Sequence, residues 1–401
     1  MHYFLLVGIA LFAGLMGGLF LKKIKLPQVI GYIVIGFLLG ASGLKFLNAP
    51  QINSLNFITD LTLGLIGFLI GGELRWARIK KLGVSIFSIA IFESLFTAFF
   101  VFTAIYLFTK NLPLALLVGA ISSSSAPGGT TDVIKEYRAR GPVTTTIYGV
   151  IGVDDAIGII IYALIFNFAK TFLHIGEATS FWHLTGFAIW EILGSILLGF
   201  VLSLIMMYLV HKIKDDDVTQ LLALAAVFIC SGIAIGMNFS MILANMALGV
   251  FLCNFRPHYT HRVFVLMNKW TPPIYILFFI LVGARLDFSL LQGIGWLVLI
   301  YLLFRFLGKY IGSWFGGHVS GAPVKVKKYV GLCLLPQAGV AIGLAIASYN
   351  ELAAFAVPEA VKVGGQVIAI ITVTTFIFQV IGPLLTKKAL DDAGEIKRRD
   401  F

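Results

Sequence analysis

Gly152-Val153-Asp154-Asp155-Ala156-Ile157-Gly158 sets two adjacent aspartates in the middle of an apolar run that extends from about Val143 to Ala169. About 20 predominantly apolar residues are enough to cross a bilayer, so this run qualifies as a membrane span. A carboxylate at membrane depth costs about 2.5 kcal/mol or more on insertion scales, and such residues mark ion or proton paths. Neighbouring residues on an α-helix point about 100° apart. The two carboxylates therefore cannot address one spot equally: one faces a cavity while the other faces a neighbouring helix.

The rest of the chain agrees with a membrane setting. Of its 401 residues, 59% are hydrophobic and 12% charged, whereas soluble domains run nearer half apolar and a quarter charged. Candidate spans fall at 3–21, 27–47, 57–74, 83–109, 113–135, 143–169, 181–211, 219–236, 240–255, 271–286, 291–316, 328–349 and 361–386. They are continuously apolar, not alternating, which argues against a β-barrel. Most of the 30 Lys and Arg gather in alternate loops, among them Lys22, Lys23, Lys25, Arg75, Arg78, Lys80, Lys81, Lys135, Arg138 and Arg140. That bias orients the chain with its N-terminus outside and its C-terminus in the cytoplasm. It also accounts for the net charge of +11 without a nucleic-acid partner. The expected fold is all-α and polytopic, with about 13 transmembrane helices over residues 1–386 and a short basic tail at 387–401. The first helix has no basic residue before it and reads as retained, not as a cleaved leader.

Cys230, Cys253 and Cys333 lie in apolar segments without metal-ligand spacing and read as core thiols. Gly14-Leu15-Met16-Gly17-Gly18 lies within a span and reads as helix packing, not as a nucleotide fingerprint. No cofactor is implied.

The fifth span carries Ser122-Ser123-Ser124-Ser125-Ala126-Pro127-Gly128-Gly129-Thr130-Thr131-Asp132. These are poor helix formers, and Pro127 removes a backbone donor. The twelfth span has a milder break at Leu335-Pro336-Gln337-Ala338-Gly339. Unwound backbone survives at membrane depth only where protein or a water-filled cavity surrounds it. If the second to sixth and the ninth to thirteenth spans are two five-helix repeats, lying approximately within residues 27–169 and 219–386, each break falls in the fourth helix of its repeat, and the repeats run in opposite directions through the membrane. Paired interruptions of this kind point to a transporter site where half-helices cross.

The candidate counter-charges are Arg305 and Lys309, four residues apart and hence on one helical face. Lysine titrates on burial more readily than arginine, so Lys309 is the candidate titrating partner and Arg305 a fixed charge, with Phe304 and Phe306 beside it for a cation–π role. Glu73 reads as a mouth residue or a local ion-pair partner. Glu93 and Glu191 lie inside spans and could line a proton path or pair with a polar neighbour. Asp132 could cap a half-helix end. Small hard cations take oxygen ligands, which makes Ser124, Ser125 and Thr130 candidate shell residues.

Leu26-Pro27-Gln28-Val29-Ile30-Gly31-Tyr32, the Asp154-Asp155 pair, Gly308-Lys309-Tyr310-Ile311-Gly312 and Pro336-Gln337 resemble the second branch of the cation:proton antiporter superfamily, the bacterial and archaeal sodium/proton exchangers. The resemblance covers essentially the whole chain. It implies that Asp155 carries cation and proton by turns, that Asp154 forms a salt bridge with Lys309, and that a core domain slides against a dimerisation domain in a homodimer. Two aspartates are similar to the electrogenic members; electroneutral members typically carry Asn-Asp, and potassium-efflux relatives Gln-Asp. The expected activity is exchange of Na⁺ or Li⁺ for H⁺ across the cytoplasmic membrane. The alternatives are K⁺/H⁺ exchange on the same scaffold, or an ion-sensing channel-like protein. Channels more often show repeated filter loops, and an integral-membrane enzyme would need a metal or nucleophile motif that the chain lacks.

Overall fold

A computed structural model of the chain describes residues 3–23, 28–40, 43–77, 83–173, 181–213, 215–255, 257–285, 288–337 and 339–396. Every regular element among them is helical. In chain order these are α1 (Tyr3–Lys23), α2 (Gln28–Leu39), α3 (Ala49–Ser54), α4 (Asn56–Glu73), α5 (Gly83–Thr109), α6 (Leu112–Ser122), α7 (Pro127–Glu136) and α8 (Pro142–Phe172). There follow α9 (Phe181–Lys212), α10 (Asp216–Gly236), α11 (Met241–Phe255), α12 (Pro257–Ala284), α13 (Phe288–Val319), α14 (Val324–Cys333), α15 (Gly339–Ala354) and α16 (Pro358–Asp392). Eight are long and apolar enough to cross a membrane, and shorter apolar helices include α2, α6, α11 and α15.

Both expected breaks are present. The fifth span divides into α6 and α7, and the twelfth into α14 and α15. Asn238, in the left-handed region at φ 55°, separates α10 from α11 where two spans nearly merge in the sequence. Several boundaries differ from expectation, most of all that of the tenth span, whose helix begins at Pro257 and not at 271. The second span ends as helix at Leu39, because the chain turns through Gly43 and the left-handed Lys45. The last helix continues past 386 to Asp392.

The chain forms two compact units, Met1–Ile79 with Thr179–Asp287, and Lys80–Ala178 with Phe288–Phe401. In the first unit, Leu65, Phe68, Val227, Leu248 and Met267 form a buried apolar core between α4, α10, α11 and α12. The second unit holds both breaks and the aspartate pair. Its most extensive helix contact is α5 against α13. Gly308, Gly312 and Gly316 form a row at four-residue spacing on α13. A Cβ added to them would come within 2.5 Å of the Thr97 Cα, 2.6 Å of the Glu93 Cα and 2.7 Å of the Ser88 carbonyl oxygen. Small residues at this spacing let membrane helices pack backbone to backbone, and they bring whatever else lies on that face of α13 hard against α5.

Candidate functional site

The first break is built by its own sequence. Ser122 and Ser123 turn their hydroxyls back to the carbonyls of Gly119 and Ala120, at 2.6 and 2.7 Å. Such back-bonding competes with continued helix, and Pro127, which lacks an N–H, begins the next segment. The broken backbone groups are then satisfied by the other break. Ala126 N–H donates to the Pro336 carbonyl at 2.7 Å. The Thr130 hydroxyl donates to the Cys333 carbonyl at 2.6 Å. Gln337 pairs through its side-chain amide with the Tyr301 hydroxyl at 3.0 and 2.8 Å, and its carbonyl accepts from Gln379 at 2.8 Å.

Arg305 ties the crossing together. It has no exposed surface. Its guanidinium donates to the carbonyls of Ser122 (3.0 Å), Ser124 (2.9 Å) and Leu335 (2.6 Å), so one side chain holds both breaks. Only the fork of an arginine offers donors in enough directions for this. Phe378, not Phe304 or Phe306, supplies the aromatic face, 4.7 Å from the guanidinium carbon.

One turn along α13, Lys309 is equally buried. Its ammonium donates to the Ser123 carbonyl. It lies 3.5 Å from Asp154 Oδ2 and 2.6 Å from Glu93 Oε2. Glu93 and Asp154 are also without exposure. Ser94 bridges them, its hydroxyl 2.9 Å from Asp154 Oδ1 and 3.3 Å from Glu93 Oε1. The expected Asp154–Lys309 contact is therefore present, but the lysine's nearer carboxylate is Glu93. The glycine row explains why: Gly308 and Gly312 flank Lys309 and press that part of α13 onto the stretch of α5 that carries Glu93 and Ser94.

Asp155 is the more exposed of the two aspartates, half-buried where Asp154 is enclosed. Gly158 follows within one turn, and a Cβ there would sit 3.0 Å from the Ser124 Cβ and 3.2 Å from the Ser123 hydroxyl. This glycine lets the aspartate-bearing face of α8 approach the first break. Ser124 and Ser125 are buried in that break. Thr130 is buried too, and its hydroxyl donates to the Cys333 carbonyl. Glu73 ends α4 and Asp132 lies in α7; both side chains fall outside the described residues.

Two buried cations, two buried carboxylates and one further carboxylate thus share a site formed by α5, α8, α13 and the two breaks. The model of the transmembrane sodium/hydrogen exchangers matches residues 7–389. The chain belongs to that family. It is 25% identical to the high-affinity Na(+)/H(+) antiporter NhaS3 of Synechocystis, over 91% of this chain and 86% of that protein. It is 24% identical to a Na(+)/H(+) antiporter of Enterococcus hirae, over 80% and 83% of the two chains. The sodium proton antiporter MjNhaP1 of Methanocaldococcus jannaschii shares the fold, with a TM-score of 0.79 over 98% of each chain at 18% identity.

Two features of this family member escaped the sequence reading. Glu93 is the lysine's near partner, a relation signalled by the glycine row on either side of Lys309. The stitching of the breaks by Arg305 had no local signal beyond a cation deep in an apolar span.

Proposed function

We propose that this chain is a secondary antiporter that exchanges Na⁺ or Li⁺ for H⁺, with Asp155 as the alternating carrier. One observation supports this above all. Beside the enclosed, lysine-bound Asp154, Asp155 is the half-buried carboxylate, on the stretch of α8 that Gly158 brings against the oxygen-rich first break. Its carboxylate can hold a proton or one small monovalent cation, and neither while the other is bound. Competition for one carboxylate is sufficient to couple the two fluxes. The Na⁺/H⁺ antiport named for NhaS3 and for the Enterococcus hirae relative supports sodium as the cation.

The geometry gives each neighbour a task. Arg305 fixes the carbonyls of Ser122 and Ser124, and so the shape of the oxygen-rich break beside α8. Ser124 and Ser125 offer oxygens there. Lys309 shares its charge between Glu93 and Asp154, so cation arrival that draws Asp154 away leaves the ammonium paired with Glu93. This is a softer switch than a lone Asp154–Lys309 bridge. The charged cluster sits in the unit that we read as the transport body. The other unit is the dimerisation body of a homodimer, and 27–169 and 219–386 are inverted repeats in the cytoplasmic membrane with the C-terminus inside. Electrogenic exchange needs a second proton for each cation, which Glu93 or Lys309 would carry beside the one that Asp155 carries.

Asp155→Asn in proteoliposomes tests the carrier. Na⁺ added to acid-loaded vesicles should no longer move protons, read by a pH-sensitive dye. Wild-type exchange in that variant would remove Asp155 from the role. Current recorded on solid-supported membranes after Na⁺, Li⁺ and K⁺ jumps gives selectivity and charge movement together, and a response to K⁺ alone would replace the sodium reading.

A further inference from the structure

The helix that carries the aspartate pair has no cap of its own. The first N–H groups of any helix lack intrahelical partners. At the start of α8, Gly141 has no side chain to offer, Pro142 follows it, and no side-chain cap is formed from the N-cap position. The missing acceptor comes from the far end of the chain.

α16 ends in a Schellman turn. Glu395 N–H donates to the Leu390 carbonyl and Gly394 N–H to the Asp391 carbonyl, both at 2.9 Å. Gly394 takes the left-handed conformation at φ 72°, which glycine adopts without a Cβ penalty. The turn sends Glu395 to the start of α8. One carboxylate oxygen accepts from Val143 N–H at 2.7 Å. The other accepts from Thr144 N–H at 2.8 Å and from the Thr144 hydroxyl at 2.7 Å. Arg140 N–H donates to the Glu395 carbonyl at 3.1 Å. Glu395 is only 7% exposed. Gly141 makes the room, since a Cβ there would collide with the Glu395 carboxyl group. On the other side of the turn, Lys325 Nζ donates to the Ala393 carbonyl at 2.8 Å, and Lys325 lies in the first turn of α14, the helix that runs into the second break. Residues 393–395 therefore fasten together the ends of α8, α14 and α16. A negative charge is favoured at a helix N-terminus, so the fastening suits its site.

We propose that Glu395 is a positioning residue for transport. It holds the Asp154–Asp155 helix at fixed depth and rotation against the two breaks, and so sets the affinity of the cation site. The proposal rests on the antiport reading. Asp155 lies about 18 Å along α8 from Val143 at 1.5 Å per residue, and a stiff helix carries a tilt at its end over that distance. Small displacements of a reacting or binding group have large effects.

The test uses the full chain in liposomes, with Glu395→Ala, Gly141→Ala, Thr144→Val and Thr144→Ser. Glu395→Ala and Gly141→Ala should raise the apparent KM for Na⁺ roughly three- to ten-fold while the maximal rate stays within about two-fold. Thr144→Val removes one of three donors and should raise KM about two-fold, and Thr144→Ser should restore it. An unchanged KM, including one accompanied by a lower maximal rate, overturns the proposal, because a merely structural loss reduces the amount of working protein. If Glu395→Ala does not fold, the Thr144 pair decides: equal KM in Val, Ser and parent overturns it. Amide hydrogen exchange over 143–145 should quicken about ten-fold in Gly141→Ala. If the parent protein moves no protons in response to Na⁺, antiport itself has failed. Exchange over 143–145 then judges the Glu395 contact alone, and unaltered protection there rejects it.

Discussion

Glu93→Gln is the substitution that most directly probes the charged cluster. It keeps the shape of the side chain and removes one of the two carboxylates that face Lys309. With an effective dielectric near 20, a unit-charge pair at the Glu93 distance attracts by about 6 kcal/mol and one at the Asp154 distance by about 5 kcal/mol. The ratio does not depend on the dielectric chosen. Desolvation opposes both attractions, and removing one partner of a buried pair typically costs about 3–5 kcal/mol. Here the second carboxylate remains and the glutamine oxygen can still accept, so Glu93→Gln should cost about 2 kcal/mol. For a chain of 401 residues that corresponds to a fall in melting temperature of about 2 °C. Asp154→Asn should cost a similar amount. The double variant should cost more than the two singles combined, by about 1 kcal/mol or more, because Lys309 then loses both carboxylates that it contacts. Melting curves of the purified protein, followed by size-exclusion chromatography after heating, supply the cycle. Strict additivity, or a silent Glu93→Gln beside a damaging Asp154→Asn, would refute a shared lysine. Transport gives a second reading: without Glu93, Lys309 keeps only Asp154 as its carboxylate contact, so a cation draws Asp154 away less readily and Na⁺ should bind more weakly.

Three further outcomes follow from the packing. Arg305→Lys retains the charge but cannot reach the carbonyls of Ser122, Ser124 and Leu335 together; a loss of about 3 kcal/mol or more is expected from the orphaned bonds, and a parental melting temperature would contradict the stitching role. Gly312→Val drives a side chain onto the Glu93 backbone and should cost about 1–3 kcal/mol as overpacking, together with weakened Na⁺ binding. Gly232→Ala, which meets nothing within 4 Å, should melt like the parent.

The breaks in the fifth and twelfth spans were legible because proline, glycine and serine act locally: Pro127 withholds a donor wherever the helix lies, and the serines compete for their own carbonyls. The buried charges were legible for the same reason, as costs that an apolar run must justify. Partnership was less so. Periodicity puts Lys309 and Arg305 on one face but does not say which helix that face meets, and the glycines beside Lys309 gain meaning only once α5 is seen against them. That the Thr130 hydroxyl donates to Cys333, a contact between residues 203 apart in sequence, had no local signal either. Glu395 lay within a segment that charge alone marked as basic tail. Its role comes from a turn at Gly394 and an uncapped helix at Gly141, two local features whose meeting no local pattern announces.

The mutual satisfaction of the two breaks has a consequence for biogenesis. Thr130 finds its acceptor 203 residues downstream. At the usual pace of synthesis, about 5–20 residues per second, the first break waits about 10–40 s for its complement to leave the ribosome. For that interval its serines and bare carbonyls stand in the bilayer without the groups that later cover them. The nascent chain must be sheltered until α14 and α15 arrive, which makes insertion machinery, as much as the finished protein's stability, a determinant of how much exchanger a cell obtains.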